Sequence, residues 1–200
     1  MLLLIFAFTT GVASQEHSHQ HPAPKTSNTP PSNRAAENYF TDVALINQNG
    51  EKMRLYSDLL KGKVVIINTF FTSCQTVCPP MTRGLAQIQE WLGDRLGKDV
   101  RMISISVDPA TDTPPKLKQF GERFQARPGW FFLTGEKDNL ELALRKIGQF
   151  VDNRDEHQTI LIIGNERTGL WKKALGMARP EELIKIVESV LNDKGPASSN

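Results

Sequence analysis

Residues 63–71 have the sequence KVVIINTFF, a continuous apolar and β-branched run that predicts a strand buried on both faces of a sheet. Residues 79–96 follow it with an amphipathic helical pattern. The apolar side chains of that pattern recur at steps of three or four residues: Met81, Leu85, Ile88 and Leu92. A buried strand that leads into an amphipathic helix is the repeating unit of α/β domains.

Strand and helix patterns continue to alternate on both sides of this unit. The further expected elements are a strand or hairpin at 39–47, strands at 100–107 and 130–133, helices at 114–124 and 136–147, a hairpin of strands at 159–163 and 170–175, and a helix that begins at Pro180. Thr113 is the expected N-cap of the helix at 114–124, because Pro114 suits the first helical position. The order predicts an α/β domain with a central mixed sheet flanked by helices.

The composition is that of an ordinary globular protein. Of 200 residues, 39% are hydrophobic and 23% are charged. The 24 Lys and Arg residues nearly balance the 22 Asp and Glu residues, so we expect no nucleic-acid partner. The presence of only two cysteines excludes a scaffold held together by disulfides.

The first 38 residues differ from the rest of the chain. Residues 2–8 are apolar but too few to span a bilayer, and small side chains follow them, which predicts a signal peptide at 1–14. No Lys or Arg precedes this run, so either the signal is atypical or the true start lies upstream. A disordered apolar N-terminus and an uncleaved anchor that extends upstream are the alternatives. Residues 15–38 lack large apolar side chains and contain four prolines, which predicts a disordered linker. We therefore expect an exported, periplasmic protein, soluble or membrane-associated, with a folded domain at 39–191 and a flexible tail at 192–200.

Cys74 and Cys78 lie between the buried strand and its helix, at the sheet edge where α/β proteins place their sites. Cys78 stands at the helix N-terminus, whose positive end stabilises a thiolate, so we expect Cys78 to be the more acidic thiol. Side chains at positions i and i+4 of a helix are about 5–6 Å apart at Cβ, whereas a disulfide needs roughly 3.5–4.5 Å. A bridging metal tolerates the wider spacing, and a small loop adjustment permits a disulfide. Two buried structural thiols are the third alternative.

His157 is the only histidine in residues 39–191, and it lies in a polar loop directly before the strand at 159–163. Loops at one edge of a sheet can face each other, which would bring this histidine near the cysteines. Two thiolates and one imidazole suit copper, because sulfur holds Cu(I) and imidazole keeps Cu(II) bound. A structural zinc site usually has four protein ligands. The pattern alone also allows a solvated loop histidine.

Four segments resemble the Sco/SenC family of thioredoxin-like, copper-binding proteins, which assist cytochrome c oxidase assembly. They are, in family order, residues 72–79 (TSCQTVCP), 106–114 (SVDPATDTP), 129–135 (GWFFLTG) and 157–159 (HQT). The resemblance implies a thioredoxin-like fold with Cys74, Cys78 and His157 as ligands of Cu(I) or Cu(II). One departure is the pair between the cysteines, which is Gln-Thr here and Pro-Asp or similar in many members.

The same segments suggest roles for residues around the ligands. The resemblance places Asp108 near the site, where it would support a ligand or contact a partner, and a turn before Pro109 is the alternative. Asp112 and Thr113 are expected to begin the next helix. Trp130 and the two phenylalanines after it are expected in the core.

Two functions agree with these residues. The first is a copper metallochaperone that delivers copper to the binuclear copper site of cytochrome c oxidase, with coupled thiol redox chemistry. The second is a thiol–disulfide oxidoreductase that reduces the cysteines of that site. His157 favours the first, because disulfide exchange needs no histidine. Expected partners are the copper-site subunit of a terminal oxidase, a thioredoxin-like reductant and another copper chaperone. Neither cysteine fits the P-x-x-x-T-x-x-C pattern of peroxiredoxins.

A second candidate copper site consists of His17, His19 and His21 in the linker. Cleavage after Ser14 would leave a chain that begins Gln-Glu-His, whose amine, two amides and imidazole can surround Cu(II) with a square of nitrogens. Such a tether would raise the concentration of Cu(II) near the cysteines. A solvated linker that merely contains histidines is the alternative.

Overall fold

A computed structural model describes residue 36 and residues 39–195. The expectations for the apolar segment 1–14, for the linker residues 15–35, 37 and 38 with His17, His19 and His21, and for residues 196–200 of the tail therefore concern residues outside the described ones. Within the described part of the chain, no helix combines the length and the apolar character that crossing a bilayer requires.

A single mixed sheet forms the centre of the described residues, as the sequence predicts. Its seven strands are β1 (Ala44–Asn47), β2 (Lys52–Arg54), β3 (Val64–Phe70), β4 (Val100–Ser106), β5 (Trp130–Thr134), β6 (Ile160–Asn165) and β7 (Leu170–Leu175). They are arranged in the order β2-β1-β5-β4-β3-β6-β7. The β3–β4 and β4–β5 pairs are parallel, and the other pairs are antiparallel.

Helices cover both faces of this sheet. They are α1 (Cys78–Leu92), α2 (Pro114–Arg123), α3 (Lys137–Lys146) and α4 (Pro180–Leu191). Every residue of β3 is buried, which confirms the prediction from its apolar run. Val64 and Ile66 of β3 pack in one core with α1 and α4, whereas Val65 and Ile67 pack in a second core with α3.

Three local features differ from expectation. The helix α1 ends at Leu92 rather than near residue 96, because Gly93 adopts a φ of +54° and a short 3-10 turn follows. Thr113 does occupy the N-cap of α2, but its side chain forms no capping hydrogen bond. A π-helical segment at Leu55–Leu60 follows the β1–β2 hairpin, and the sequence patterns did not predict it.

The hairpin of β6 and β7 depends on a glycine beneath an aromatic ring. Gly164 pairs with Trp171 across the hairpin, and a Cβ atom at Gly164 would lie 2.1 Å from the Trp171 ring. Gly164→Ala is therefore expected to lower the free energy of unfolding by about 1–3 kcal/mol, measured by urea denaturation, through overpacking.

A matched control is Gly84→Ala in α1, where a Cβ atom would meet nothing within 4 Å. This change is expected to raise the free energy of unfolding by up to about 1 kcal/mol, because alanine favours the helix. Equal stability of the two variants would contradict the proposed clash with Trp171.

Candidate metal and thiol site

The two cysteines lie at the carboxyl end of β3, as the sequence predicts. Cys74 belongs to the loop after β3, and its N–H donates to the carbonyl of Phe71 at 3.2 Å. Cys78 is the first residue of α1. Both thiols are free, and Cys74 is 6% and Cys78 0% exposed. Solvent therefore reaches the pair only through Cys74.

The sulfur of Cys74 caps the N-terminus of α1. The backbone N–H of Cys78 donates to Cys74 Sγ at 3.4 Å, and Thr76 Oγ1 lies 3.8 Å from the same sulfur. A helix N-terminus has unpaired N–H groups and a partial positive charge, both of which favour an anion. The positive end of α1 therefore stabilises a thiolate at Cys74.

This geometry reverses the expected order of acidity. Burial opposes ionisation of Cys74, but hydrogen bonds from Cys78 and Thr76 outweigh it and hold the pKa of Cys74 below its usual value. Burial, followed by the hydrogen bond with the Cys74 sulfur, raises the pKa of Cys78 to about 12. The prediction that Cys78 is the more acidic thiol is wrong, because the free N–H at the start of α1 points to the sulfur of Cys74, whereas the sulfur of Cys78 is buried.

Alkylation measures this difference directly. At neutral pH, iodoacetamide is expected to label Cys74 at least about tenfold faster than Cys78, because the thiolate is the reactive form. Tandem mass spectrometry after a short exposure assigns the labelled residue. Both cysteines should react at similar rates in concentrated urea. Faster labelling of Cys78 in the folded protein would show instead that Cys78 is the more acidic thiol.

His157 approaches the cysteines from the neighbouring strand. The antiparallel pairing of β3 with β6 brings the start of β6 to the carboxyl end of β3, and His157 precedes β6 after a 3-10 turn at Arg154–Glu156. Its Nε2 lies 3.5 Å from Cys78 Sγ. Its Nδ1 lies 2.9 Å from the carbonyl of Arg154, to which it donates as the neutral ring. The lone pair of Nε2 therefore faces the sulfur.

The surroundings of His157 keep the imidazole suited to a metal. Burial lowers the pKa of His157, and the hydrogen bond to the Arg154 carbonyl opposes this shift only in part. A neutral imidazole whose second nitrogen is already held is the usual form of a histidine ligand. The Phe71 ring stands nearly perpendicular to the imidazole, with the ring centroids 5.3 Å apart.

Asp108 contacts the loop that carries His157, at residues 153–158, which we call the histidine loop. Its carboxylate forms an ion pair with Arg154, whose guanidinium also lies 5.2 Å from the centroid of the Phe71 ring. The backbone carbonyl of Asp108 accepts N–H groups of Thr111 and Asp112 at 3.1 and 2.9 Å. The backbone of Asp108 thus forms a turn, and its side chain contacts Arg154, whose carbonyl holds the His157 ring.

Asp112 has a role that the sequence patterns missed. Its side chain is 1% exposed, and it accepts hydrogen bonds from the N–H of Thr72 at 3.1 Å, from the Thr72 hydroxyl and from the Ser106 hydroxyl at 2.6 Å. This carboxylate ties the loop that carries Cys74 to the end of β4. Its position before a helix indicated only a helix start, and no local pattern connects it with Thr72.

A cavity of about 510 Å³ opens beside these groups. Its walls are the thiol loop and the histidine loop: Phe71, Cys74, Thr76, Val77, Asp155, Glu156, His157, Gln158, Thr159 and Ile160. Within the described residues, no group of three or more His, Cys, Asp and Glu side chains is already arranged as a metal site. Cys78 Sγ and His157 Nε2 lie 3.5 Å apart, which is the distance of an S–H···N hydrogen bond and is also close enough for both atoms to bind one metal ion.

Comparisons with known proteins agree with the sequence resemblance. The family model of SCO1/SenC matches residues 31–192. The SCO1 protein homolog of Bacillus subtilis is 36% identical over 118 residues, which cover 58% of this chain and 60% of that protein. The matched region spans 60% of the length of this relative and 51% of the length of an SCO2-like protein of Rickettsia conorii.

Two solved structures have the same fold. BsSco, from a study that identified a disulfide switch in this member of the Sco family of cytochrome c oxidase assembly proteins, is 32% identical, with a TM-score of 0.62 over 76% of this chain and 92% of that chain. Yeast Sco1 with copper bound is 25% identical, with a TM-score of 0.64 over 80% of this chain and 97% of that chain. The expected thioredoxin-like fold is thereby confirmed. Because the family model spans almost the whole folded region, this chain belongs to the SCO1/SenC family.

Proposed function

We propose that this protein binds copper through Cys74, Cys78 and His157 and delivers it to the binuclear copper site of cytochrome c oxidase. The observation that carries the proposal is the 3.5 Å contact between Cys78 Sγ and the Nε2 of a histidine whose other nitrogen is held by a backbone carbonyl. Soft thiolates hold Cu(I), and the imidazole retains Cu(II).

The residues around these donors have separate tasks in this proposal. The N-terminus of α1 stabilises the thiolate of Cys74, and the ion pair of Asp108 with Arg154 keeps the histidine loop in place. Burial of both sulfurs limits their contact with water and oxidants. Copper is the cargo of the protein, so the site must retain it in transit and release it to the acceptor.

The comparisons support copper as the cargo and the oxidase as its destination. Copper is bound in the similar structure of yeast Sco1, and a study of BsSco describes its family as cytochrome c oxidase assembly proteins. We therefore propose the copper-site subunit of a terminal oxidase as the acceptor. Another copper chaperone would supply the metal, and a thioredoxin-like reductant would keep the thiols reduced. The signal pattern at residues 1–14 supports an exported, periplasmic location.

A second function is favoured by the hydrogen bond that joins the backbone of Cys78 to the sulfur of Cys74. The backbone N–H of Cys78 donates to the Cys74 sulfur, and the pKa of Cys74 is lowered, as a thiol–disulfide oxidoreductase requires of its attacking thiol. In that reaction Cys74 and Cys78 form a disulfide and pass two electrons and two protons to a disulfide of the oxidase copper site. The two functions can operate in sequence, because copper must be delivered to reduced thiols.

A copper titration of the reduced and disulfide forms tests the proposal. The reduced protein is expected to bind one copper per chain, and Cu(II) should give strong visible absorption from sulfur-to-metal charge transfer. The disulfide form is expected to lose high-affinity binding, because oxidation removes both thiolates at once. Equal copper affinity of the two forms would contradict ligation by the cysteines.

A further inference from the structure

Two exposed apolar side chains lie two positions apart at the end of β7. Among the described residues, four large apolar side chains are exposed: Tyr39 at 55%, Leu142 at 38%, Leu175 at 66% and Met177 at 50%. Leu175 ends β7 and Met177 follows two residues later. We call this pair the apolar rim.

The apolar rim adjoins the cavity that holds Cys74 and His157. Leu175 pairs with Ile160 across the hairpin, and the N–H of Gly176, between the two rim residues, donates to the carbonyl of Thr159 at 2.7 Å. Both Ile160 and Thr159 line the cavity. The rim is therefore the continuation of the cavity wall onto the protein surface.

The rim is also fixed relative to the thiols. A Cβ atom at Gly176 would lie 2.8 Å from Met81 Sδ and 3.1 Å from the carbonyl of Thr159. Met81 is a buried residue of α1, the helix that begins at Cys78. The backbone between the two rim residues thus packs directly on the helix of the site.

We propose that the apolar rim is a docking surface for the protein domain that receives the copper. The inference rests on the proposed function. Because Cys74 is 6% and Cys78 0% exposed, an acceptor can replace these ligands only by placing its own ligands in the cavity mouth. A folded domain in that position covers the rim. Buried apolar side chains at the centre of an interface supply most of its binding energy.

The charged residues around the cavity indicate which charges the partner domain carries on its docking surface. Asp155 and Glu156 are exposed on the cavity wall that belongs to the histidine loop, where Asp155 also lies 3.9 Å from the exposed guanidinium of Arg154. Arg179, just after the rim, is already paired with Glu182. The matching partner therefore presents an apolar patch against the rim and basic residues against the two acidic ones, with its metal ligands between them.

The test uses the purified soluble copper-site domain of the oxidase subunit, metal-free and with its cysteines reduced. Binding of the copper-loaded protein is measured by calorimetry, and transfer by loss of the donor's visible absorption. The double variant Leu175→Gln/Met177→Gln is expected to keep the copper spectrum of the unchanged protein and to bind the domain about tenfold more weakly. Leu142→Gln removes an exposed leucine of α3, away from the cavity, and should bind normally.

Further variants and a lipid-binding measurement distinguish an apolar protein contact from other roles of the rim. Met177→Leu keeps the apolar surface without the thioether and should bind normally, so weak binding of this variant would overturn an apolar role. Unchanged affinity of the double variant would overturn the proposal. If the double variant loses binding to anionic phospholipid vesicles but not to the domain, the rim contacts a lipid surface and the proposal is overturned. Binding of the unchanged protein without copper transfer would refute the proposed function alone, and absence of binding would refute both.

Discussion

Replacing Cys78 with serine is expected to abolish copper binding at the site. The Cys78 sulfur lies 3.5 Å from His157 Nε2, at the centre of the proposed ligand set. A serine hydroxyl is a hard donor that stays protonated, so it cannot take the place of a soft thiolate. We expect the affinity for Cu(I), measured by competition with a chromogenic chelator, to fall by at least about 100-fold and the charge-transfer absorption of Cu(II) to disappear.

The control for this variant is Ser73→Ala, which changes an exposed residue next to Cys74 without touching a sulfur. It should bind copper like the unchanged protein. Thermal unfolding of Cys78→Ser should remain cooperative, which distinguishes loss of a ligand from loss of the fold. Full Cu(I) affinity in a folded Cys78→Ser protein would exclude Cys78 from the site.

Replacing His157 with alanine is expected to separate the two oxidation states of copper. Two thiolates remain, so the affinity for Cu(I) should fall by less than about tenfold, whereas the affinity for Cu(II) should fall by at least about 100-fold. Titration followed by visible and electron paramagnetic resonance spectroscopy measures both. The physical reason is that imidazole is the only nitrogen donor of the proposed set.

Gln158→Ala is the matched control for this variant, because Gln158 is an exposed neighbour that lines the same cavity. It should retain the Cu(II) spectrum. An unchanged Cu(II) spectrum in His157→Ala would remove this histidine from the ligand set, even if both cysteines were essential.

The sheet was predictable from the sequence because its strands carry their own signals. The run at 63–71 is apolar throughout, and the structure places it between two cores as β3. The polar turn between the last two strands likewise predicted the β6–β7 hairpin. Periodicity reports on burial, and burial is what defines these elements.

The site was predictable only in part, because its details depend on contacts between distant segments. The position of Cys78 at the start of a helix was correct, but side-chain direction decided which thiol the helix stabilises. The bond from Thr72 to Asp112 joins residues 40 positions apart, and no local pattern reports it. The closeness of His157 and Cys78 follows from the pairing of β3 with β6, for which the family resemblance was the stronger guide.

The separation of Cys78 and His157 by 79 positions along the chain has a consequence for biogenesis. The two come together only through the pairing of β3 with β6, a contact of high sequence separation that forms late compared with local helices and hairpins. Under the proposed ligand set, a newly made and incompletely folded chain offers the thiol pair but not the imidazole. Because the native state then binds copper more tightly than the unfolded chain does, metal loading stabilises the finished fold and favours mature molecules over nascent ones.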